Sequence, residues 1–287
     1  MDFLLSTGSL YTYGISRCFA LAAGAGFDGI ELLIDERWDT RQAPYVRSLM
    51  DRHGLPIRAV HSPFRPIRGW AVEEERRLKR ATALAEALDA PVVVHHLPMR
   101  FGYGKLTVGP RHWIIPLLRW PMGRTYRTWI EKAYAEYQRH TAPTLCIENM
   151  PARRALGRRW NAYHWNTVQK LARFDALTMD TTHLGTWGLD PATVYLSWQP
   201  RVKHVHLSNF DGREHRRPEA GHLDLAALLA TLNTSGYEGT VTLEMSPDGL
   251  QAGCPDDEMQ DRLAASLTWC RSQIDGHAHL QDRSRDP

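Results

Sequence analysis

Residues 144–207 contain three short runs separated by helical patterns: Thr144-Leu145-Cys146-Ile147-Glu148, Ala176-Leu177-Thr178-Met179-Asp180 and Val202-Lys203-His204-Val205-His206-Leu207. The runs are largely apolar without strict alternation, as expected for strands buried on both faces of a parallel sheet. The same unit recurs on either side. Runs 3–5, 29–34, 57–61 and 91–95 precede it, and 240–244 follows it. Between runs, residues 73–88 space Leu78, Ala81, Leu84, Ala85 and Leu88 as one helical face, stopped by Asp89-Ala90-Pro91. A second helix is expected over 225–235, with Asp224 as N-cap and Gly236 beyond its end. A last helix is expected near 257–273. Eight strands, each followed by a helix, predict an α/β fold, a single-domain (β/α)8 TIM barrel. The competing doubly wound sheet would place a Gly-rich phosphate loop after the first strand, and none is there.

Successive runs start 26 to 38 residues apart, except that 53 residues separate His95 from Glu148. An insertion of roughly 25–30 residues, by comparison with the usual repeat, is therefore expected between strand 4 and helix 4, at about 98–125. The barrel would span 1–275, with 276–287 as a polar C-terminal tail. At 287 residues and 43% hydrophobic content the chain can bury a large core, which excludes collagen-like and wholly disordered classes. No apolar run approaches the ~18 residues of a membrane span. Met1-Asp2-Phe3-Leu4-Leu5-Ser6 lacks the basic start of a secretory signal. Cys18, Cys146, Cys254 and Cys270 form no CxxC pair or disulfide framework, so a cytoplasmic protein is expected.

The runs close on Glu31, His61, His95 (then His96), Glu148, Asp180 (with His183), His206 and Glu244. In a (β/α)8 barrel these ends converge on one face, where active sites form. Carboxylates gathered there would repel one another and lose solvation, and a divalent cation removes that penalty. Mixed Glu/Asp/His ligation suits Zn, Mn, Co or Mg. A single histidine at a strand end is more often a hydrogen-bonded structural residue, and Glu31 could simply pair with a nearby arginine. Four such residues at four consecutive strand ends are a different matter: for Glu148, Asp180, His206 and Glu244 coincidence is a weak account.

The segments His61-Ser62-Pro63-Phe64, Val92-Val93-Val94-His95, Cys146-Ile147-Glu148-Asn149, Met179-Asp180-Thr181-Thr182-His183, Val205-His206-Leu207-Ser208, Gly221-His222-Leu223-Asp224 and Leu243-Glu244 resemble the xylose isomerase-like TIM-barrel superfamily. That superfamily holds sugar and sugar-phosphate isomerases and epimerases, inosose-processing enzymes and endonuclease-IV-type AP endonucleases. The isomerase pattern implies Glu148, Asp180, His206 and Glu244 as ligands of one divalent ion, with Glu148 and Glu244 also as catalytic acid/base groups on opposite faces of the substrate. The ion would polarise a carbonyl and its neighbouring hydroxyl and stabilise an enediolate. His183 and Arg213 fall near positions that hold substrate oxygens in epimerases. The AP-endonuclease pattern implies three zinc ions and adds His61, His95, His183 and His215 as further ligands or supporting groups. Its aspartate two residues before His215 is Arg213 here, and its Pro-Gly-x-Gly turn reads Pro218-Glu219-Ala220-Gly221. The expectation is one ion, with two as the alternative, rather than three.

Positive charge is unevenly placed although the net charge is only +3. Residues 90–130 and 149–174 contain no Asp or Glu, and Arg153, Arg154, Arg158 and Arg159 lie just beyond Glu148. Arg65 and Arg68 follow strand 3; Arg213, Arg216 and Arg217 follow strand 7. These βα-loop positions read either as a solvated rim or as a funnel for a small anionic or polyhydroxylated substrate, with Arg153, Arg154, Arg213 and His183 as substrate-binding candidates. The inserted Trp113-Ile114-Ile115-Pro116-Leu117-Leu118-Arg119-Trp120-Pro121-Met122 is expected to pack on the barrel or on a partner in a homodimer; a lid and a membrane-surface segment are the alternatives. The leading functional expectation is a metal-dependent sugar or sugar-phosphate isomerase or epimerase. The alternatives are a nucleic-acid enzyme cleaving abasic DNA and a non-catalytic barrel that binds an anionic ligand.

Overall fold

A computed structural model describes residues 1–108, 111–121, 123–155 and 158–282. In chain order the elements are β1 (Asp2–Ser6), α1 (Ile15–Ala25), β2 (Gly29–Leu33), α2 (Ala43–His53), β3 (Ile57–His61), α3 (Glu74–Ala87) and β4 (Val92–His96). A hairpin of β5 (Phe101–Val108) and β6 (Arg111–Pro121) precedes α4 (Arg124–Lys132), α5 (Tyr134–Arg139) and β7 (Thr144–Glu148). A second hairpin, β8 (Arg153–Ala155) and β9 (Arg158–Trp160), leads to α6 (Val168–Leu171), β10 (Leu177–Asp180), α7 (Thr181–Trp187) and α8 (Pro191–Trp198). The chain ends with β11 (Val202–Leu207), α9 (Leu225–Thr234), β12 (Thr240–Leu243) and α10 (Asp256–Asp282).

Eight of these strands close in the order β1-β2-β3-β4-β7-β10-β11-β12, with β12 returning to β1. All eight junctions are parallel. The expected (β/α)8 barrel is therefore the fold. At Gly29 the strands approach so closely that a Cβ would stand 2.8 Å from the Pro56 carbonyl oxygen; only glycine fits there.

Side-chain alternation explains why the runs are apolar at nearly every position. Leu4, Ala59, Val92, Val94 and Cys146 form one buried cluster inside the barrel. Their strand neighbours Phe3, Leu5, Val60, Val93, Leu145 and Ile147 instead pack outward with helix residues such as Leu78, Ala81 and Leu228. The α3 face works as its spacing predicts, since Leu78, Ala81, Leu84, Ala85 and Leu88 are all buried. Asp224 caps α9, its carboxylate accepting from the Ala227 amide at 2.9 Å. The last helix continues through Asp282, past the expected end near 273.

Both hairpins follow the C-terminal ends of barrel strands, and β6 runs beside β8. The first occupies the stretch between β4 and α4 where an insertion was expected, pairing Lys105 with Ile114 and Tyr103 with Pro116 across an antiparallel ladder. Side chains of residues 103–122 lie outside the described residues, and with them the packing, lid and membrane readings of Trp113–Met122. Residues 283–287 of the expected tail also lie outside them. Among the described residues no helix is long and apolar enough to cross a membrane.

Candidate metal and active site

Strand alternation places Glu31, His61, His96, Glu148, Asp180 and His206 on the inward faces of their strands, near the C-terminal mouth. Glu148 is their meeting point. Its Oε2 lies 2.9 Å from His96 Nε2 and 3.4 Å from His61 Nε2; its Oε1 lies 3.2 Å from His183 Nδ1 and 3.5 Å from His206 Nδ1. His206 Nδ1 also lies 3.0 Å from Glu244 Oε2 and 3.9 Å from Asp180 Oδ2. Ligand atoms of Glu148, Asp180, His206 and Glu244 all fall within 4.8 Å of one another. Despite these short distances, Glu148 Oε2, Asp180 Oδ2 and His206 Nδ1 are buried without a well-aligned hydrogen bond. Buried ligand atoms gathered at one point without an aligned hydrogen bond fit a divalent cation.

The surrounding sequence holds these groups still. Asp180 caps α7, its Oδ1 accepting from the His183 amide at 2.7 Å while Oδ2 stays free for the cluster. Asn149 accepts from the Asp180 amide at 2.8 Å and donates to the Asp180 carbonyl at 2.9 Å. Thr181 and Thr182 tie the start of α7 to the end of β11 through the Ser208 and Asn209 carbonyls. The Asp180-Thr181-Thr182-His183 motif is thus one continuous clamp. His61 Nδ1 lies 2.7 Å from the Ser62 carbonyl, so Nδ1 donates there and Nε2 is the nitrogen that faces Glu148.

Burial alone would raise every carboxyl here, but the imidazoles reverse this for two of them. His96, His183, His206 and His61 hold Glu148 well below the usual range; His206 and His215 bring Glu244 down to about 2. Asp180 is different: burial prevails over His183 and His215 and pushes it up to about 6. Among the histidines, burial would lower the pKa, but Glu31 and Glu244 raise His206 well above its ordinary value, and Asp180 and Glu148 raise His183 to about 10. Imidazolium protons therefore supply the positive charge that the carboxylates require. A metal ligand must be neutral imidazole, so loading an ion must expel the His206 proton. The sign follows: the raised pKa makes proton competition strongest at low pH. Apparent affinity for Zn²⁺ or Mn²⁺ is expected to rise between pH 6 and 8, by up to about one decade per unit for each proton displaced. Calorimetry in buffers of different ionisation enthalpy reads that release directly, and pH-independent binding would contradict it.

Several sequence expectations are corrected by this geometry. His95 is not at the cluster. It shares the outward face of β4 with Val93, its Nδ1 2.8 Å from the Tyr126 hydroxyl and its Nε2 2.9 Å from that of Tyr134. Burial, and then the neighbouring His96, push it down to about 3, as befits a neutral structural pin. The inward position belongs to His96. Arg213 is also away from the site, largely exposed and paired with Asp211 and Asp248. Its neighbour Glu214, which the sequence reading passed over, faces the mouth, 3.8 Å from His183 Nε2 and 3.7 Å from Arg153. Glu31 pairs with His204 and His206 rather than with an arginine.

A cavity of about 620 Å³ opens onto the cluster, lined by His61, His96, Glu148, His183, His215 and Glu244 together with Phe64, Arg65, Arg153 and Glu214. His215 reaches it from a left-handed backbone (φ 60°), its ring 5.6 Å from that of His183. Exposed Arg154 does not line it. Much of the basic rim is locally neutralised, with Arg216 on Asp248 and Arg217 on Glu219. Among the described residues, Arg65 and Arg153 are the arginines that line the cavity.

A family model described as xylose isomerase-like TIM barrel matches residues 19–273. An uncharacterized protein of Mycobacterium tuberculosis (strain ATCC 25618 / H37Rv) is 26% identical over 94% of this chain and 96% of its own length; one from Mycobacterium leprae (strain TN) is 25% identical with the same coverage. Among solved structures, 3-keto-D-glucoside 4-epimerase from E. coli is similar with a TM-score of 0.66 at 19% identity, covering 95% of this chain and 99% of that one. A structure described as L-ribulose 3-epimerase also has a TM-score of 0.66, at 17% identity over 100% and 99% of the chains. An AP endonuclease, family 2, from Brucella melitensis has a TM-score of 0.61 at 19% identity over 90% and 97%.

Proposed function

Since the chain belongs to the xylose isomerase-like TIM-barrel family, we propose that it is a divalent-metal-dependent isomerase or epimerase of a sugar, sugar phosphate or related polyol-derived carbonyl compound. The observation that carries this reading is the convergence of Glu148, Asp180, His206 and Glu244 at the floor of the cavity, with buried atoms of the first three lacking an aligned hydrogen bond. These four residues would hold one ion. When bound, it would polarise a carbonyl oxygen and an adjacent hydroxyl, acidifying the intervening C–H. Glu148 and Glu244, both held low, are ionised and ready to take a carbon-bound proton. Delivery of a proton to the former carbonyl carbon would give isomerisation, with the carbonyl re-formed at the neighbouring carbon; delivery to the original carbon from the opposite carboxyl would give inversion. His183, Glu214 and Arg153 line the cavity where substrate oxygens would sit. Arg65 and Arg153 suit a phosphate or carboxylate at the outer end.

The test is deuterium exchange. Ketopentoses, ketohexoses and their phosphates are incubated in D2O with the protein carrying Mn²⁺, Co²⁺, Zn²⁺ or Mg²⁺. Deuterium at the carbon beside the carbonyl is the expected result. No exchange by fully metal-loaded protein overturns this reading.

A second reading, metal-dependent phosphodiester cleavage at abasic DNA, draws on two further donor groups: His61-Glu148-His206 and Asp180-His183-His215. Metal-dependent incision of an abasic duplex, lost in His61→Ala, would favour it. The replacement of an expected carboxylate by Arg213, and the displacement of His95 from the cluster, weigh against a full three-ion site. If protein supplied with excess divalent metal retained none, a non-catalytic barrel for small anions would be the better account.

A further inference from the structure

Beneath the cluster, deeper in the barrel, lies a second polar group that shares only His206 with the proposed ion site. Glu31 on β2 and His204 and His206 on β11 are fully buried. Glu31 Oε2 lies 2.7 Å from His204 Nε2 and 2.8 Å from His206 Nε2. His204 Nδ1 in turn lies 2.6 Å from the Thr240 hydroxyl, and Thr242 Oγ1 lies 3.1 Å from His204 Nε2. These three residues could be taken for a metal site of their own. The distances argue otherwise: an ion about 2.0–2.2 Å from each donor would hold the donors near 3 Å or more apart. Separations of 2.7 and 2.8 Å are hydrogen bonds.

We propose that Glu31 is a positioning residue: held by His204, its carboxylate accepts the Nε2 proton of His206, so that Nδ1 is the nitrogen that faces Glu148 and Glu244 and gives up its proton when an ion binds. The inference rests on the reading of Glu148, Asp180, His206 and Glu244 as ion ligands. A buried imidazole can present either nitrogen, and the partner of the other nitrogen determines which one is left free. The Nδ1 atom that this arrangement leaves free is the one with no aligned hydrogen bond, 3.0 Å from Glu244. Thr240, His204, Glu31 and His206 thus form an ordered chain that ends on the ion site. One carboxylate oxygen serves two ring N–H groups. A glutamine that seats its oxygen there could still accept from both rings, so the informative substitution removes the acceptor altogether.

Glu31→Ala is expected to weaken Co²⁺ or Zn²⁺ binding by about 10- to 100-fold, the range seen when such outer partners are removed. The visible spectrum of bound Co²⁺ should change with it. Thermal unfolding of the metal-free variant checks that the barrel persists. His204→Asn should weaken binding in the same direction. Nitrogen-15 NMR of the Zn²⁺-loaded wild type tests the proposal without any substitution: Nδ1 should be metal-bound and Nε2 protonated. A metal-bound Nε2 overturns it. Equal affinity and an unchanged Co²⁺ spectrum in a folded Glu31→Ala also overturn it, while leaving the ion site intact. A wild type that binds no divalent ion overturns both this inference and the reading beneath it.

Discussion

Glu244→Gln is expected to lower turnover by about 10²- to 10⁴-fold, the usual contribution of a positioned acid/base group. Glutamine keeps the shape and one oxygen donor but cannot take up a carbon-bound proton. Glu148→Gln should lose as much, and should also bind the ion less tightly, because four imidazoles and the ion site converge on that one carboxylate. The two variants differ in a useful way. If the glutamates work from opposite faces, the variant that retains the abstracting group should still exchange the carbon proton with D2O while failing to invert the centre. Rates and D2O exchange, measured at saturating metal, check this. Full turnover in both variants would refute the acid/base assignment.

Removing the ion should have the second large effect. Exhaustive chelation is expected to abolish turnover and to lower the melting temperature, with both restored by added metal. Ligand present at 100 times its dissociation constant stabilises the native state by about 2.7 kcal/mol. At roughly 2–4 °C per kcal/mol for chains of 150–250 residues, that corresponds to a drop of about 5–11 °C. The stripped protein should remain folded, since protons on His206 and His183 supply much of the missing positive charge. Activity and melting temperature that survive verified metal removal would count against the proposed function.

The legible and illegible parts of the site divide along a physical line. Asp180-Thr181-Thr182-His183 can be read locally because all its work is local: a helix cap and threonines reaching the adjacent strand. His95 and His96 could not be separated in this way. Both are histidines at the end of a run, and a strand turns successive side chains to opposite faces. Counting by twos from Val92 and Val94 would have indicated His96, had the inward face been known. The same ambiguity separates Arg213, turned to solvent and Asp248, from Glu214, turned to His183. Loop residues carry no periodicity by which to choose between them.

By itself the sequence determined the eight-stranded parallel barrel, because each run is apolar on both faces and each is followed by a helix. It also determined that Glu148, Asp180, His206 and Glu244 share one mouth, because parallel strands in a barrel all end on the same side. Tertiary structure alone decided which imidazoles face inward and what stands behind them. Glu31 meets His204 and His206 across separations of 173 and 175 residues, spanning the interior between strands that are not neighbours. Only closure of the sheet, with its particular register, sets that distance. No local pattern along the chain records it.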